Sequence, residues 1–257
     1  MSIKTVTLNG VATIEIARPE KKNAITVAMY QAMADALTAA NTDPMVRAVL
    51  ITGQPGIFTS GNDIDDFMQG PRQAADFGQS PVFQFMRALH GCEKPVVAAV
   101  TGAAIGIGTT MLLHCDLVYV SDEARLAMPF VSLGLVPEFA SSLIVPRLVG
   151  HVKAAEKLLL GEPFTGQEAV EMRIANAVLP AAEVVPHARR MAERFNALPP
   201  GAVRDSKKLL RRVQTGPVLE TIAAESEVFG ARLSSPEARE AFSAFFQKRR
   251  PDFSQFQ

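Results

Sequence analysis

The chain of 257 residues has 26 Lys plus Arg against 26 Asp plus Glu, a formal net charge of zero, with 48% hydrophobic and 20% charged residues. This is the composition of an ordinary soluble globular protein, long enough to bury a sizeable core in one large domain or in a domain with an appendage. It excludes the basic excess on which nucleic-acid and anionic-membrane binding rest, and two cysteines, Cys92 and Cys115, cannot build a disulfide framework.

The first residues, MSIKTVTLNGVATIEIARPEKKN, alternate polar and apolar side chains where a signal peptide needs an unbroken apolar core, and Ser254–Gln257 carries no peroxisomal or retention tripeptide. A reducing, cytoplasmic setting is the expectation, with neither a membrane nor a nucleic acid as partner.

Ile3–Leu8 and Val11–Ala17 read as strands joined by the hairpin signal Asn9-Gly10. Met29, Met33, Ala36 and Leu37 recur at helical spacing behind a Thr26 cap, and Asp43-Pro44 ends that helix. Val46–Thr52 is a buried strand, and Gln54–Gly70 a glycine- and acid-rich loop turning into a short helix. After a helix over Pro81–Leu89, Pro95–Val100 is again a buried strand. It leads into Thr101–Asp116, TGAAIGIGTTMLLHCD, a glycine turn and helix start. Leu117–Ser121 and Arg125–Met128 are further strands, and Gly134–Val136 leads into PEFASS. Strand, glycine turn and helix thus recur, which points to an α/β fold wound from similar units. Helices over Ala154–Leu160 and Glu162–Arg173 precede a last strand at Ala177–Pro180. Helices at Val184–Asn196, Gly201–Arg212, Val218–Phe229 and Pro236–Gln247, broken at Pro199-Pro200 and Gly216-Pro217, make a helical end. A boundary near Leu198 divides the chain into 1–198 and 199–257.

Several familiar signals fail. Met111 stands where a dinucleotide fingerprint would continue after Gly106 and Gly108, no phosphate loop is present, and Ser60 lacks the elbow of a hydrolase nucleophile. His90, His114, His151 and His187 are scattered without metal-ligand spacing and read as structural. Two glycine turns, Thr59–Asp63 and Ala104–Gly108, remain, each following a strand. Converging backbone N–H groups from two such turns would hold an oxyanion, and the same glycines would equally serve plain turns. Glu138 is a lone acid among Val, Pro and Phe in LGLVPEFASSL. It reads either as a desolvated proton-transfer group or as a cap on a helix beginning near Phe139. Asp63, Asp65 and Asp66 read as a solvated helix start, and Asp116 as a pairing or capping residue.

Four stretches, ARPEKKNAIT, GIFTSGNDIDDF, VAAVTGAAIGIGTTMLLHCDLVYVSDEARLAMP and SSPEAREAFSAFFQKRRPDF, resemble ordered motifs of the crotonase, or enoyl-CoA hydratase/isomerase, family over nearly the whole chain. The resemblance implies a ββα spiral core over 1–198 holding an acyl-CoA site. It also implies a helical region over 199–257 that builds a homotrimer or a dimer of trimers. The substrate is an acyl-CoA thioester, CoA is part of it, and no other cofactor or metal is implied. By the same resemblance, Ser60 and Ile107 supply the oxyanion N–H groups, and Ser60, Gly61, Asn62, Asp63, Ile64 and Ile107 bind substrate. Asp66–Phe85 shapes the acyl pocket, and Phe245 and Lys248 reach a neighbour's CoA. Thr110 and Phe130 stand where hydratases carry their two glutamates. MPFVSLGLVPEFASSLIVPRL instead resembles the peroxisomal-type 3,2-enoyl-CoA isomerase branch, with Glu138 on its catalytic glutamate. The expected activity is a one-base shift of 3-enoyl-CoA to trans-2-enoyl-CoA. The alternatives are another crotonase-type acyl-CoA enzyme, such as a ring-intermediate isomerase or a hydratase, and a noncatalytic acyl-CoA binding protein.

Overall fold

The computed structural model describes residues 2–69 and 80–256. The N-terminal hairpin forms as read. Asn9 and Gly10, at φ 48° and 70°, turn β1 (Ile3–Leu8) into antiparallel β2 (Val11–Ile16). The Thr26 hydroxyl caps α1 (Val27–Thr42) by accepting the Met29 N–H at 3.3 Å.

Each winding unit then gives one strand to each of two sheets. From β3 (Ala48–Thr52) the chain passes to β4 (Ile57–Thr59), and from β5 (Val96–Val100) to β6 (Ala103–Ile105). The third pair is β7 (Leu117–Ser121) and β8 (Arg125–Ala127). The larger sheet has the order β1-β2-β3-β5-β7-β10, with β10 at Ala177–Leu179, and is parallel from β2 onward. The smaller has the order β4-β6-β8-β9, with β9 at Phe164–Thr165. This alternation is the expected spiral. β3 and β5 are buried along their whole lengths, as strands covered on both faces require. One face of the larger sheet packs on Val184, Ala188 and Ala192 of α8 (Ala181–Glu193). The other packs on α1 and α3 (Pro81–His90), where the Tyr30 and Phe85 rings lie 5.5 Å apart.

Between β4 and α3 lies α2 (Ile64–Gln69), and α4 (Ile107–Thr110) follows β6. Next come α5 (Ser141–Val149), α6 (His151–Leu159) and α7 (Gly166–Glu171). The helix read over Glu162–Arg173 starts only at Gly166. Phe164 is taken into the smaller sheet opposite Leu126, and Thr165 forms a capping box with Glu168. The helical end comprises α9 (Pro200–Arg211), α10 (Thr215–Leu233) and α11 (Pro236–Phe246). The break read at Gly216-Pro217 falls at residues 212–214 instead, because Pro217 sits in the first turn of α10, where a missing N–H is tolerated. Lys207 and Arg211 of α9 ion-pair with Asp116 at 2.6 and 2.9 Å, tying this end to the start of β7. Among the described residues no helix is long and apolar enough to cross a membrane.

Candidate active site

β4 and β6 run parallel with Thr59 opposite Ala104, so the loops that leave their C-terminal ends emerge side by side. The contact between them is close enough to demand glycine. A Cβ on Gly61, which has φ +92°, would stand 2.9 Å from the Ile105 carbonyl oxygen.

The Ser60 amide, expected as an oxyanion donor, is already spent, since it donates to the Lys22 carbonyl at 3.1 Å. The loop instead exposes the amide two residues on. Ile25 bridges Asn62 in parallel fashion, with Ile25 N–H donating to Gly61 O at 2.8 Å and Asp63 N–H to Ile25 O at 2.9 Å. In a parallel bridge of this kind the middle residue's own N–H points to the opposite side. It therefore points away from Ile25, and among the described residues no group accepts from the Asn62 N–H. The Asn62 side chain is pinned by the buried Tyr30 hydroxyl, which donates to Oδ1. Asp63 accepts from Arg18 at 2.5 Å and from the Asp66 N–H at 3.2 Å. Burial pushes the Asp63 pKa up, but the Arg18 contact and the Asp66 amide outweigh it and hold the carboxyl below its ordinary range. Asp63 is therefore the buttress of the loop rather than part of a solvated acidic cluster. Ile64 opens α2 against the core. Of the expected acyl-pocket stretch Asp66–Phe85, residues 70–79 lie outside the described residues.

Ile107 is the first residue of α4, entered through Gly106 at φ +58°. Its side chain is buried in the core, so a bulky residue is tolerated where only the backbone faces the site. As at any helix start, its N–H lacks an intrahelical partner, and no other acceptor is recorded for it among the described residues. The Asn62 and Ile107 amides thus come from adjacent parallel strand ends.

One helical turn into α4, the Thr110 hydroxyl donates to Glu138 Oε1 at 2.6 Å. Glu138 is 6% exposed. Burial pushes its pKa up to about 8, with the Thr110 hydrogen bond pulling downward and the Glu225 charge adding to the rise. The chain turns sharply after it, since Phe139 and Ala140 both take left-handed φ, 57° and 55°, unusual for residues with a Cβ. The helix-cap reading of Glu138 does not hold. The helix begins at Ser141, and the carboxylate at its start is Glu225 of α10. Glu225 accepts from Ala140 N–H at 2.6 Å, Ser142 N–H at 3.0 Å and the Ser142 hydroxyl. Phe130, buried, lies 3.9 Å from where a Gly106 Cβ would stand, and so walls the same space with carbon.

Two of the four histidines meet behind this turn. His114 stacks on Phe139 at 3.7 Å between ring centroids and shares a 2.8 Å hydrogen bond from Nε2 to the Phe139 carbonyl. Its Nδ1 lies 3.2 Å from His90 Nδ1. Burial drives the His114 pKa down to about 3 and the His90 pKa to about 4, so both rings are neutral at physiological pH. His114 therefore donates from Nε2 and accepts at Nδ1 from His90. His187 packs edge-on to Tyr119, away from this cluster. Phe245 and Lys248, at the end of the chain, are exposed.

Sequence reasoning missed Glu225. Its signal was faint but present, because in α10 it shares a buried stripe with Val218, Ile222 and Phe229 at spacings of four, three and four.

Residues 7–256 match the model of the enoyl-CoA hydratase/isomerase family. Enoyl-CoA delta isomerase 2 of Rattus norvegicus is 35% identical over 243 residues, which cover 93% of this chain and only 62% of the rat protein. The probable enoyl-CoA hydratase of Bacillus subtilis is 30% identical over 249 residues, 95% of both chains. The solved structure of Pseudomonas aeruginosa OdaA superposes with a TM-score of 0.92 at 52% identity, covering 95% of this chain and 98% of that one. With its paired strand-end loops, its spiral core and a family match over nearly all of its length, the chain belongs to the enoyl-CoA hydratase/isomerase, or crotonase, family.

Proposed function

We propose that this acyl-CoA enzyme shifts the double bond of a 3-enoyl-CoA to the trans-2 position, with Glu138 as its one acid–base group. The observation that carries the reading is the hydrogen bond that ties the buried Glu138 to Thr110 of α4: at the two positions where the resemblance puts hydratase glutamates stand Thr110 itself and the buried Phe130, which leaves Glu138 as the carboxylate held against that helix. A carboxyl group whose pKa is raised to about 8 is matched to proton transfer near neutral pH.

Glu138 in its ionised form takes a proton from C2, and the C2–H electron pair spreads over a dienolate whose charge collects on the thioester oxygen. The Asn62 and Ile107 amides hold that oxygen in this account, with the Ser60 amide occupied elsewhere. Loss of one such donor typically costs on the order of a hundredfold in rate. Glu138 then returns the proton to C4, leaving the double bond between C2 and C3. Phe130, buried beside Gly106, gives this side of the site an apolar wall that offers no group to activate water. CoA enters and leaves as part of the substrate, and the reading needs no further cofactor.

A second reading, water addition to a 2-enoyl-CoA, is the activity that the Bacillus subtilis relative's name states. It calls for a second carboxylate to activate water, and Phe130 offers none. The deciding experiment gives the protein 3-hexenoyl-CoA and crotonyl-CoA in parallel, as parent and as Glu138→Gln. Appearance of the conjugated 2-enoyl thioester in the parent alone, with negligible water addition, supports the isomerase. Hydration of crotonyl-CoA as the main reaction overturns it. Exposed Leu209 and Leu210 on α9, with Val213 just beyond it, support a surface buried between copies in a homotrimer or a dimer of trimers, which a solution mass measurement tests.

A further inference from the structure

We propose that Glu225 is a positioning residue for Glu138, a carboxylate from the C-terminal helical region that holds the turn on which the base is carried.

The turn is costly by itself. Two consecutive residues with a Cβ, Phe139 and Ala140, lie in the left-handed region. Such conformations persist where the surroundings over-determine them. One support is His114, neutral, at the Phe139 carbonyl. The other is Glu225, 8% exposed, which accepts from the amides of both Ala140 and Ser142 and from the Ser142 hydroxyl. These are the donors left over where the turn becomes α5, so a single carboxylate 85 residues away in sequence fixes both the turn and the first residues of the helix. Ser141 closes the loop on the other side, its N–H and hydroxyl both donating to the Glu138 carbonyl, at 3.1 and 2.7 Å. A base must be held within a fraction of an ångström of its productive position to be effective. The path Glu225, Ala140, Glu138 is how α10 enforces that position.

Glu225 also stands where water could enter. With Val136, Pro137, Ser142, Ala224 and Val228 it lines an open cavity of about 470 Å³ beside the turn. Truncating it both frees the turn and connects that cavity to the Glu138 backbone. The ionisable groups that interact with Glu138 are Glu225 on α10 and Tyr30 on α1. Tyr30 stays protonated, its pKa pushed well above the ordinary value by burial first and by Glu138 second.

This inference rests on Glu138 being the base, so its test includes a readout that needs no substrate. Glu225→Ala is expected to lower kcat for 3-hexenoyl-CoA about tenfold or more while KM stays within about threefold, the signature of lost alignment rather than lost binding. Glu225→Gln, which keeps one acceptor oxygen for three donors, is expected to fall between. Independently, the pH-dependent difference in unfolding stability between the parent and Glu138→Gln is measured with Glu225 kept and in Glu225→Gln and Glu225→Ala. Removing the Glu225 charge lowers the difference alike in Glu225→Gln and Glu225→Ala, whereas loosening the turn also hydrates Glu138. The difference is therefore expected to shrink furthest in Glu225→Ala, to about half or less, and equal shrinkage in the two variants counts against positioning. If Glu225→Ala does not fold, Glu225→Gln carries the kinetic measurement. Retention of kcat within about twofold, or an undiminished stability difference, overturns the proposal. If the parent does not move the double bond at all, the isomerase reading fails, and the stability difference alone decides the positioning role.

Discussion

Replacing Glu138 by Gln isolates the cost of burying that carboxyl. The group's ordinary pKa of 4.5 is pushed up to about 8 in the fold, burial being the main cause. Between those two values the folded chain keeps a proton that the unfolded chain has released. Folding is therefore linked to proton uptake, and stability is greatest below the unfolded value and falls as pH rises towards the folded one. At about 1.4 kcal/mol per pH unit, an interval of this size corresponds to about 5 kcal/mol lost by the time the group ionises in the fold. Gln has nearly the same volume, still accepts from Thr110, and does not titrate. Equilibrium urea unfolding of both proteins, followed by circular dichroism from about pH 5 to about pH 9, reads the difference directly. The two are expected to agree within about 1 kcal/mol at the acid end, with Glu138→Gln more stable by about 4–5 kcal/mol at the alkaline end. Glu225, whose pKa burial also raises and whose charge acts on Glu138, is kept in both proteins, so the difference reads Glu138 together with its coupling to Glu225. Parallel stability curves across the range would refute the claim that folding buries Glu138 as a desolvated carboxyl with a raised pKa.

Because the ionised form is the base, kcat/KM should rise with pH to a plateau above about pH 8, and a profile flat from about pH 6 upward would contradict this. Thr110→Val removes the donor to Glu138 Oε1 with little change of shape and is expected to move that profile to higher pH while lowering activity at neutral pH about tenfold. Gly61→Ala puts a Cβ 2.9 Å from the Ile105 carbonyl oxygen at φ +92°, which should push the two loops apart. An activity loss of about tenfold or more, with a stability cost of about 1–3 kcal/mol, is the expected result from initial rates and urea midpoints. Asp116→Ala strands the buried Lys207 and the partly buried Arg211 without their shared partner. It should cost about 3–5 kcal/mol in the same unfolding assay.

How far the sequence carried these conclusions depended on how local each determinant is. The Asn9-Gly10 hairpin, the Thr26 cap and the uninterrupted apolar strands were legible because neighbouring residues dictate them. Glu138 stood out by its apolar surroundings, and its burial follows from them. The direction of an N–H was not legible. Whether Ser60 or Asn62 presents a free amide depends on where Lys22 and Ile25 bond across the loop, a tertiary register that no residue in SGNDI encodes. Similarly, Phe164 has no local reason to leave a helical pattern. It is drawn into a strand because Leu126 lies opposite it. Phe139 and Ala140 carry none of the Gly or Asn that announces a left-handed turn. The backbone there is set by His114 and Glu225, which are 25 and 85 residues distant from their respective partners in the turn. Parts of the site that depend on contacts over such separations emerge only once the chain is folded.

The most direct test of the one-base account follows the proton itself. 3-Hexenoyl-CoA carrying deuterium at C2 is incubated with the protein in ordinary water, and the 2-hexenoyl product is analysed by mass spectrometry and NMR. The account predicts that a share of the deuterium reappears at C4, since the same Glu138 carboxyl that removes it also delivers it, and that Glu138→Gln forms no product. Complete loss of the label from C4, or 3-hydroxyacyl-CoA as the main product, would contradict it.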